Sequence, residues 1–335
     1  MRTLRLWCDR LGGGLRGYGA GPVASALLCA GVVCTPALAQ VADRSGAAIT
    51  SATATPVQVP SLDLVSGQPL VLAGHWFGAV PDSQASASPV SARPAILLLH
   101  GCGGALDRQG RLSLRLRDYA GLLTAEGWHV LVLDSFGARG ASQICTQKYS
   151  TRTITMTQRR RDVLGALAWL GLQPGVDPSR LALLGWSNGA SAVLAATNQR
   201  QPEVARAQVL PRAAVAFYPG CESDRRSGYV PSAALLLLVG ADDDWTPAAP
   251  CEALVREVAA GPPAAMDARP SAVPVPRITV YPGAFHGFDS AAPVVLRSDV
   301  PNGSHPGAGV HVGGQPAARS ASRVRMLEFL RAALL

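Results

Sequence analysis

The chain has 335 residues, of which 48% are hydrophobic and 16% charged, with a formal net charge of +8. That apolar fraction excludes a mainly disordered chain, because a core can be buried. The lack of a Gly-X-Y period or of heptads excludes collagen-like and coiled-coil proteins. Length alone fits one large α/β domain or about two smaller ones.

The first residues carry part of the charge. Arg2, Arg5, Arg10 and Arg16 precede an apolar run over 23–33, and Ala37, Leu38 and Ala39 follow as a small-x-small site. This pattern predicts a secretory signal peptide over 1–39, cleaved after Ala39. The apolar run is too short to span a bilayer, so no stable membrane span is expected after its removal. Cleavage removes four arginines and Asp9, lowering the charge from +8 to +5. It also removes Cys8, Cys29 and Cys34, leaving Cys102, Cys145, Cys221 and Cys251. An even number of cysteines in an oxidising compartment points to two disulfides. The protein is therefore expected to be exported, to the periplasm or the medium.

Residues 40–60 are rich in Ala, Thr, Ser and Pro and are expected to form a flexible lead-in. One α/β domain is expected over 61–335. Strands are predicted over 70–73, 95–100, 128–134, 180–185, 213–218, 233–240 and 277–281. Helices are predicted over 116–126, 161–170, 190–199, 251–260 and 319–334. Loops are expected over 81–94, 261–276 and 298–315, where Pro, Gly, Ser and Ala cluster. Arg159, Arg160 and Arg161 precede the second helix and read as a solvated first turn. No aromatic interleaving accompanies them, so nucleic-acid binding is not expected.

Near-continuous apolar strands alternating with helices predict a mostly parallel sheet covered on both faces. Ligands then bind beyond the carboxyl ends of the strands. The residues that follow each strand are the ones to read for chemistry.

The segment Gly185-Trp186-Ser187-Asn188-Gly189 follows an apolar strand and opens a helix of small residues. This is the context of a nucleophile elbow, which makes Ser187 the candidate nucleophile. The plainer reading is a Gly-rich turn with an idle serine. A serine hydroxyl needs a base. His286 follows the last predicted strand and precedes the last helix, which sets it apart from the other histidines. The base needs an acid to hold its tautomer, and Asp242, Asp243 and Asp244 follow the most apolar strand. The order Ser, Asp, His is that of α/β-hydrolases. Donors to a developing oxyanion are expected from the N–H of Asn188 and from the turn at 100–104, with Cys102 N–H preferred to Gly103.

The segments LLLHGCGG, DSFGARG, GWSNG, VGADDDWTP and YPGAFHGFD together resemble the dienelactone hydrolase family of the α/β-hydrolase superfamily. The resemblance implies an α/β-hydrolase fold. It also implies that the acid is the third residue after the strand-ending glycine, which is Asp243. Ser187 stands where the best-known members carry cysteine, which favours a general ester hydrolase.

The resulting expectation is an exported serine hydrolase that cleaves a small-molecule carboxylic ester or lactone through an acyl-enzyme. No cofactor is implied, and no cluster has metal-ligand spacing. The alternatives are a non-catalytic binding or cell-surface protein on the same fold, and a peptidase or acyltransferase using the same triad. Trp186 and Trp245 flank the nucleophile and the acid and are candidate substrate-binding residues. Cys221 and Cys251 follow strands expected to be neighbours, as do Cys102 and Cys145. Cys221–Cys251 and Cys102–Cys145 are therefore the expected pairs.

Overall fold

The computed structural model of the chain describes residues 53–79, 92–261 and 274–335. The expected signal peptide over 1–39 lies outside the described residues, as do most of the expected loops over 81–94 and 261–276.

Eight strands form one sheet in the order β1-β2-β4-β3-β5-β6-β7-β8. They are β1 (Thr55–Val65), β2 (Gln68–Phe77), β3 (Arg93–Leu99), β4 (His129–Asp134), β5 (Val176–Trp186), β6 (Ala213–Phe217), β7 (Ala234–Gly240) and β8 (Arg277–Tyr281). From β4 to β8 every neighbouring pair is parallel, while β1–β2 and β2–β4 are antiparallel. This is the doubly covered sheet that apolar strands demand.

The two faces can be read along β3. Ile96 and Leu98 point to the face covered by α1 (Leu114–Ala125) and α7 (Pro316–Leu334). Ala95, Leu97 and Leu99 point to the face covered by α2 (Met156–Gly171), α3 (Asn188–Thr197) and α6 (Ala248–Ala260). Residues 95–99 have no exposed surface at all. Each such leucine contributes about 1.5–3 kcal/mol relative to an exposed one.

Residues 55–60, expected to be flexible, instead lie in β1. Val57 and Val59 point inward and Gln58 and Pro60 outward, the period of a strand with one wet face. Pro56 and Pro60 are tolerated because β1 is an edge strand. Two short helices, α4 (Pro202–Ala205) and α5 (Glu222–Arg226), were not expected. Nor was a small hairpin of β9 (Val295–Arg297) and β10 (Val310–Val312), whose second strand falls inside the expected loop over 298–315.

The arginine run departs most from expectation. Arg159 is completely buried, Arg160 is 7% exposed, and both lie within α2 rather than ahead of it. Arg160 donates to Glu203, and Arg161 to Glu203 and Asp63. Ion pairs to carboxylates from β1 and α4 replace the water that the sequence suggested. No helix among the described residues is long and apolar enough to cross a membrane.

Candidate active site

β5 passes into α3 through Ser187, the only residue between them. Ser187 has φ +54° and ψ −119°, a backbone conformation that costs a non-glycine residue energy. Hydrogen bonds from its N–H to the Phe217 carbonyl and from Ser191 N–H to its own carbonyl, both 2.9 Å, hold it there. The flanking glycines are required by contact. A Cβ on Gly185 would strike the Gly189 carbonyl, and one on Gly189 the Leu99 carbonyl. The turn therefore lifts the serine hydroxyl beyond the carboxyl end of the sheet.

His286 lies beyond β8 and Asp243 beyond β7, two parallel neighbours. His286 Nε2 is 2.9 Å from Ser187 Oγ, and His286 Nδ1 is 2.9 Å from Asp243 Oδ2. With Nδ1–H donating to the carboxylate, Nε2 is left to accept from the serine hydroxyl. Asp243 Oδ1 accepts from the N–H groups of Trp245 and Thr246 at 2.9 and 2.8 Å. The three aspartates of this turn have different surroundings. Asp242 is exposed. Asp244 pairs with His311 Nδ1 at 2.7 Å, tying the β9–β10 hairpin to the turn. Asp243 alone faces His286.

Thr246 escaped the sequence reading. Its hydroxyl lies 3.0 Å from Asp243 Oδ2, 3.1 Å from His286 Nδ1 and 3.0 Å from the Tyr218 carbonyl. Its place three residues after the acid was the available signal. Tyr218 and Trp245 flank the His286 ring, each with a centroid separation of 4.6 Å.

The turn after β3 faces the same serine. A Cβ on Gly101 would lie 3.5 Å from Ser187 Cβ. His100 is buried and its Nδ1–H donates to the Gly101 carbonyl at 2.8 Å, so its Nε2 accepts from Ser135 N–H. Burial, reinforced by the Arg159 charge, lowers its pKa well below the usual histidine value. His100 is thus a neutral structural residue, not a rival base. Among the described residues, the N–H groups of Cys102 and Asn188 have no hydrogen-bond acceptor. A disulfide joins Cys102 to Cys145, and a second joins Cys221 to Cys251, with Cα separations of 4.9 and 5.0 Å.

A cavity of about 340 Å³ opens over Ser187. Tyr149, Arg152 and Ile154 wall it from the segment between β4 and α2, and Glu222 and Trp245 close it from α5 and the Asp243 turn. Of the two candidate tryptophans only Trp245 lines it. Trp186 does not: its ring is 1% exposed and packs on Tyr119 and Phe217 at 4.8 and 6.0 Å. Strand alternation in β5 turns that ring to the α1 face of the sheet. A second cavity of about 400 Å³, lined by His75, Phe77 and Arg117 among others, shares no lining residue with the first. Among the described residues no three His, Cys, Asp or Glu side chains form a metal-binding group.

The family model described as the dienelactone hydrolase family matches residues 84–334. The chain belongs to the dienelactone hydrolase family. Its fold is the α/β-hydrolase fold, shared with many solved structures. One is a dienelactone hydrolase-like promiscuous phosphotriesterase from metagenomic libraries, 20% identical, covering 84% of this chain and 100% of that one, at a TM-score of 0.57. Another is Thermogutta terrifontis esterase 2, 14% identical over 83% of this chain and 95% of that one, at 0.52. A third is a puromycin-hydrolyzing peptidase from Mycobacterium tuberculosis, 15% identical, where 85% of this chain aligns with 40% of that one, at 0.55. No curated protein matches the sequence. This member of the family is a hydrolase acting on ester bonds.

Proposed function

We propose that this hydrolase cleaves small carboxylic esters or lactones through an acyl-enzyme on Ser187. The observation that carries the reading is the line Ser187 Oγ–His286 Nε2 and His286 Nδ1–Asp243 Oδ2, both 2.9 Å, at the floor of a cavity. In the proposed reaction, Ser187 Oγ forms a bond to the carbonyl carbon while its proton passes to His286 Nε2. The carbonyl oxygen becomes an oxyanion, bound by the N–H groups of Cys102 and Asn188. As the tetrahedral intermediate collapses, the carbon–alkoxide bond breaks and the alcohol leaves with the proton from His286. Water then attacks the acyl-enzyme with His286 again as base, releasing the acid and restoring the serine. Asp243 holds the imidazole tautomer and stabilises the imidazolium.

The size and wall of the cavity support this substrate class. About 340 Å³ is at the small end for ligand sites, which run to about 1,000 Å³. Trp245 offers an apolar surface beside the histidine, and Arg152 and Glu222 put polar groups at the wall. We further propose that residues 1–39 act as a signal peptide and that the enzyme works in the periplasm or the medium. The two disulfides support an oxidising compartment.

The test is a substrate panel of p-nitrophenyl acetate, butyrate and decanoate, a small lactone, and a p-nitroanilide. The expected order of kcat/KM places the short esters and the lactone above the decanoate, with the anilide last. A preference for the anilide would move the enzyme to the peptidases. Turnover of none of them would reject the ester reading.

A further inference from the structure

The buried Arg159 has no role in the chemistry above, yet it touches both halves of the proposed oxyanion hole. Its Nη2 donates to the His100 carbonyl at 3.0 Å, at the head of the turn that carries Cys102. Its Nη1 donates to the Asn188 side-chain oxygen at 3.1 Å. Among the described residues, the N–H groups of Cys102, Gly103 and Asn188 all lack an acceptor, and Cys102 and Asn188 are the two proposed as oxyanion donors. A single planar guanidinium thus spans the gap between β3 and the start of α3 from its seat in the first turn of α2. Its plane is supported by the Phe136 ring, 5.2 Å away.

The electrostatics are unusual for a structural arginine. A fully buried charge is costly unless it is paired. Among the described residues, no carboxylate lies within ion-pair distance of Arg159. Asp162, one of two carboxylates whose charge acts on it, is already engaged by Arg139 and by the Ser61 hydroxyl. The cation therefore has no direct ion-pair partner, only the longer-range charges of Asp162 and Asp134, and it sits behind the place where negative charge would develop. Burial pulls its pKa down to about 10, with Asp162 and Asp134 opposing the fall, so it stays charged at neutral pH.

We infer that Arg159 is a positioning residue for the oxyanion hole, fixing the separation of the Cys102 and Asn188 donors and adding a fixed positive charge behind them. The inference rests on the ester-hydrolase reading of Ser187. A donor must sit within about half an ångström of the productive geometry to be effective. Misplacement by about 1 Å can cost about 100-fold in rate. The plain alternative is that Arg159 only ties α2 to the sheet. In that case its loss would lower stability and leave the kinetic constants of the folded enzyme alone.

The test uses Arg159→Lys, Arg159→Met and Asn188→Ala with p-nitrophenyl acetate as substrate and a trifluoromethyl ketone as oxyanion-forming inhibitor. Lysine keeps the charge but reaches one acceptor instead of two. Methionine loses both charge and fork. Asn188→Ala cuts one arm while leaving the arginine in place. The expected fall in kcat is about 100-fold or more for Arg159→Met, and about tenfold for Arg159→Lys and Asn188→Ala. KM should stay within about twofold, and inhibitor affinity should fall in parallel with kcat, because both need a formed oxyanion hole. Folding of each variant is checked by its melting curve. A folded Arg159→Lys or Arg159→Met that keeps kcat within about threefold of wild type overturns the inference. If neither folds, Asn188→Ala decides, and an unchanged kcat and inhibitor affinity there overturn it equally. A wild type inactive on every ester overturns the hydrolase reading itself. An active wild type with indifferent variants overturns the positioning role alone.

Discussion

Two regions meet at the cavity and are built differently. At the carboxyl ends of β5, β7 and β8, Ser187 follows its strand directly, and Asp243 and His286 follow within one short turn. Each sits in a short local backbone feature: a strained elbow, an aspartate clasped by two N–H groups, a histidine on a glycine turn. The roof is assembled from distant pieces instead. Tyr149, Arg152 and Ile154 come from the segment between β4 and α2. That segment is tied down by the Cys102–Cys145 disulfide and by Asn302, which bonds Tyr149 N–H and the Gln147 carbonyl. The local turn thus does most to aim each strand-end side chain, whereas cavity shape rests on contacts between residues far apart in the sequence.

The largest effect should come from the strand ends. Ser187→Ala should lower kcat about 10⁴-fold or more without loss of fold. Asp243→Asn should follow at a somewhat smaller cost, while the same change at Asp244, bound to His311, should be far milder. Steady-state kinetics on a short ester checks all three. A larger loss at Asp244 than at Asp243 would place the acid wrongly.

The two tryptophans sharpen the contrast. Trp186→Ala removes a core ring and should cost about 3–5 kcal/mol of stability while leaving ester selectivity unchanged. Trp245→Ala should instead change the ratio of acetate to decanoate turnover. Denaturant melts together with the substrate panel separate them. A selectivity change in a folded Trp186→Ala would return that residue to the pocket.

The roof should depend on its staple. Replacing Cys102 and Cys145 together by serine should cost about 2–4 kcal/mol. A calorimetric Tm unchanged from wild type would contradict this.

The smallest predicted effect lies outside the site, at Asp224 of α5. Its carboxyl is 6% exposed, and burial raises its pKa from 3.8 to about 6, although an Asn198 side-chain bond opposes the rise. The folded state then holds its proton more tightly than the unfolded state does. This group's contribution is therefore favourable at low pH and is lost as pH rises from about 4 to about 6. At neutral pH the buried charge costs on the order of 2–3 kcal/mol. Asp224→Asn should raise the Tm near pH 7.5 by more than near pH 4. Equal shifts at both pH values would contradict the buried-charge explanation.

Most of the sheet was legible because β3, β5, β6 and β7 are apolar runs bounded by turns, a pattern that only a doubly covered strand needs. Strand ends then pointed to Ser187, His286 and the three aspartates 242–244, among which the family resemblance chose Asp243, and the structure brings Ser187, His286 and Asp243 into one line. The elements missed were those whose stability comes from partners. β1 has two prolines and polar outward positions and becomes a strand only against β2. Arg159 and Arg160 looked like surface residues because a charge reveals its acceptor only in three dimensions. Trp186 and Trp245 occupy similar places beside site residues, but the alternation of β5 buries one ring and the Asp243 turn presents the other. Thr246 had no periodic signal at all.

The most direct measurement is covalent labelling with a fluorophosphonate followed by peptide mass mapping. The expected result is a single adduct on Ser187 in the wild-type enzyme, none in Ser187→Ala, and labelling slowed about 10³-fold or more in His286→Ala. An adduct on another residue, or equal labelling rates with and without His286, would contradict the assignment of Ser187 as a nucleophile activated by His286.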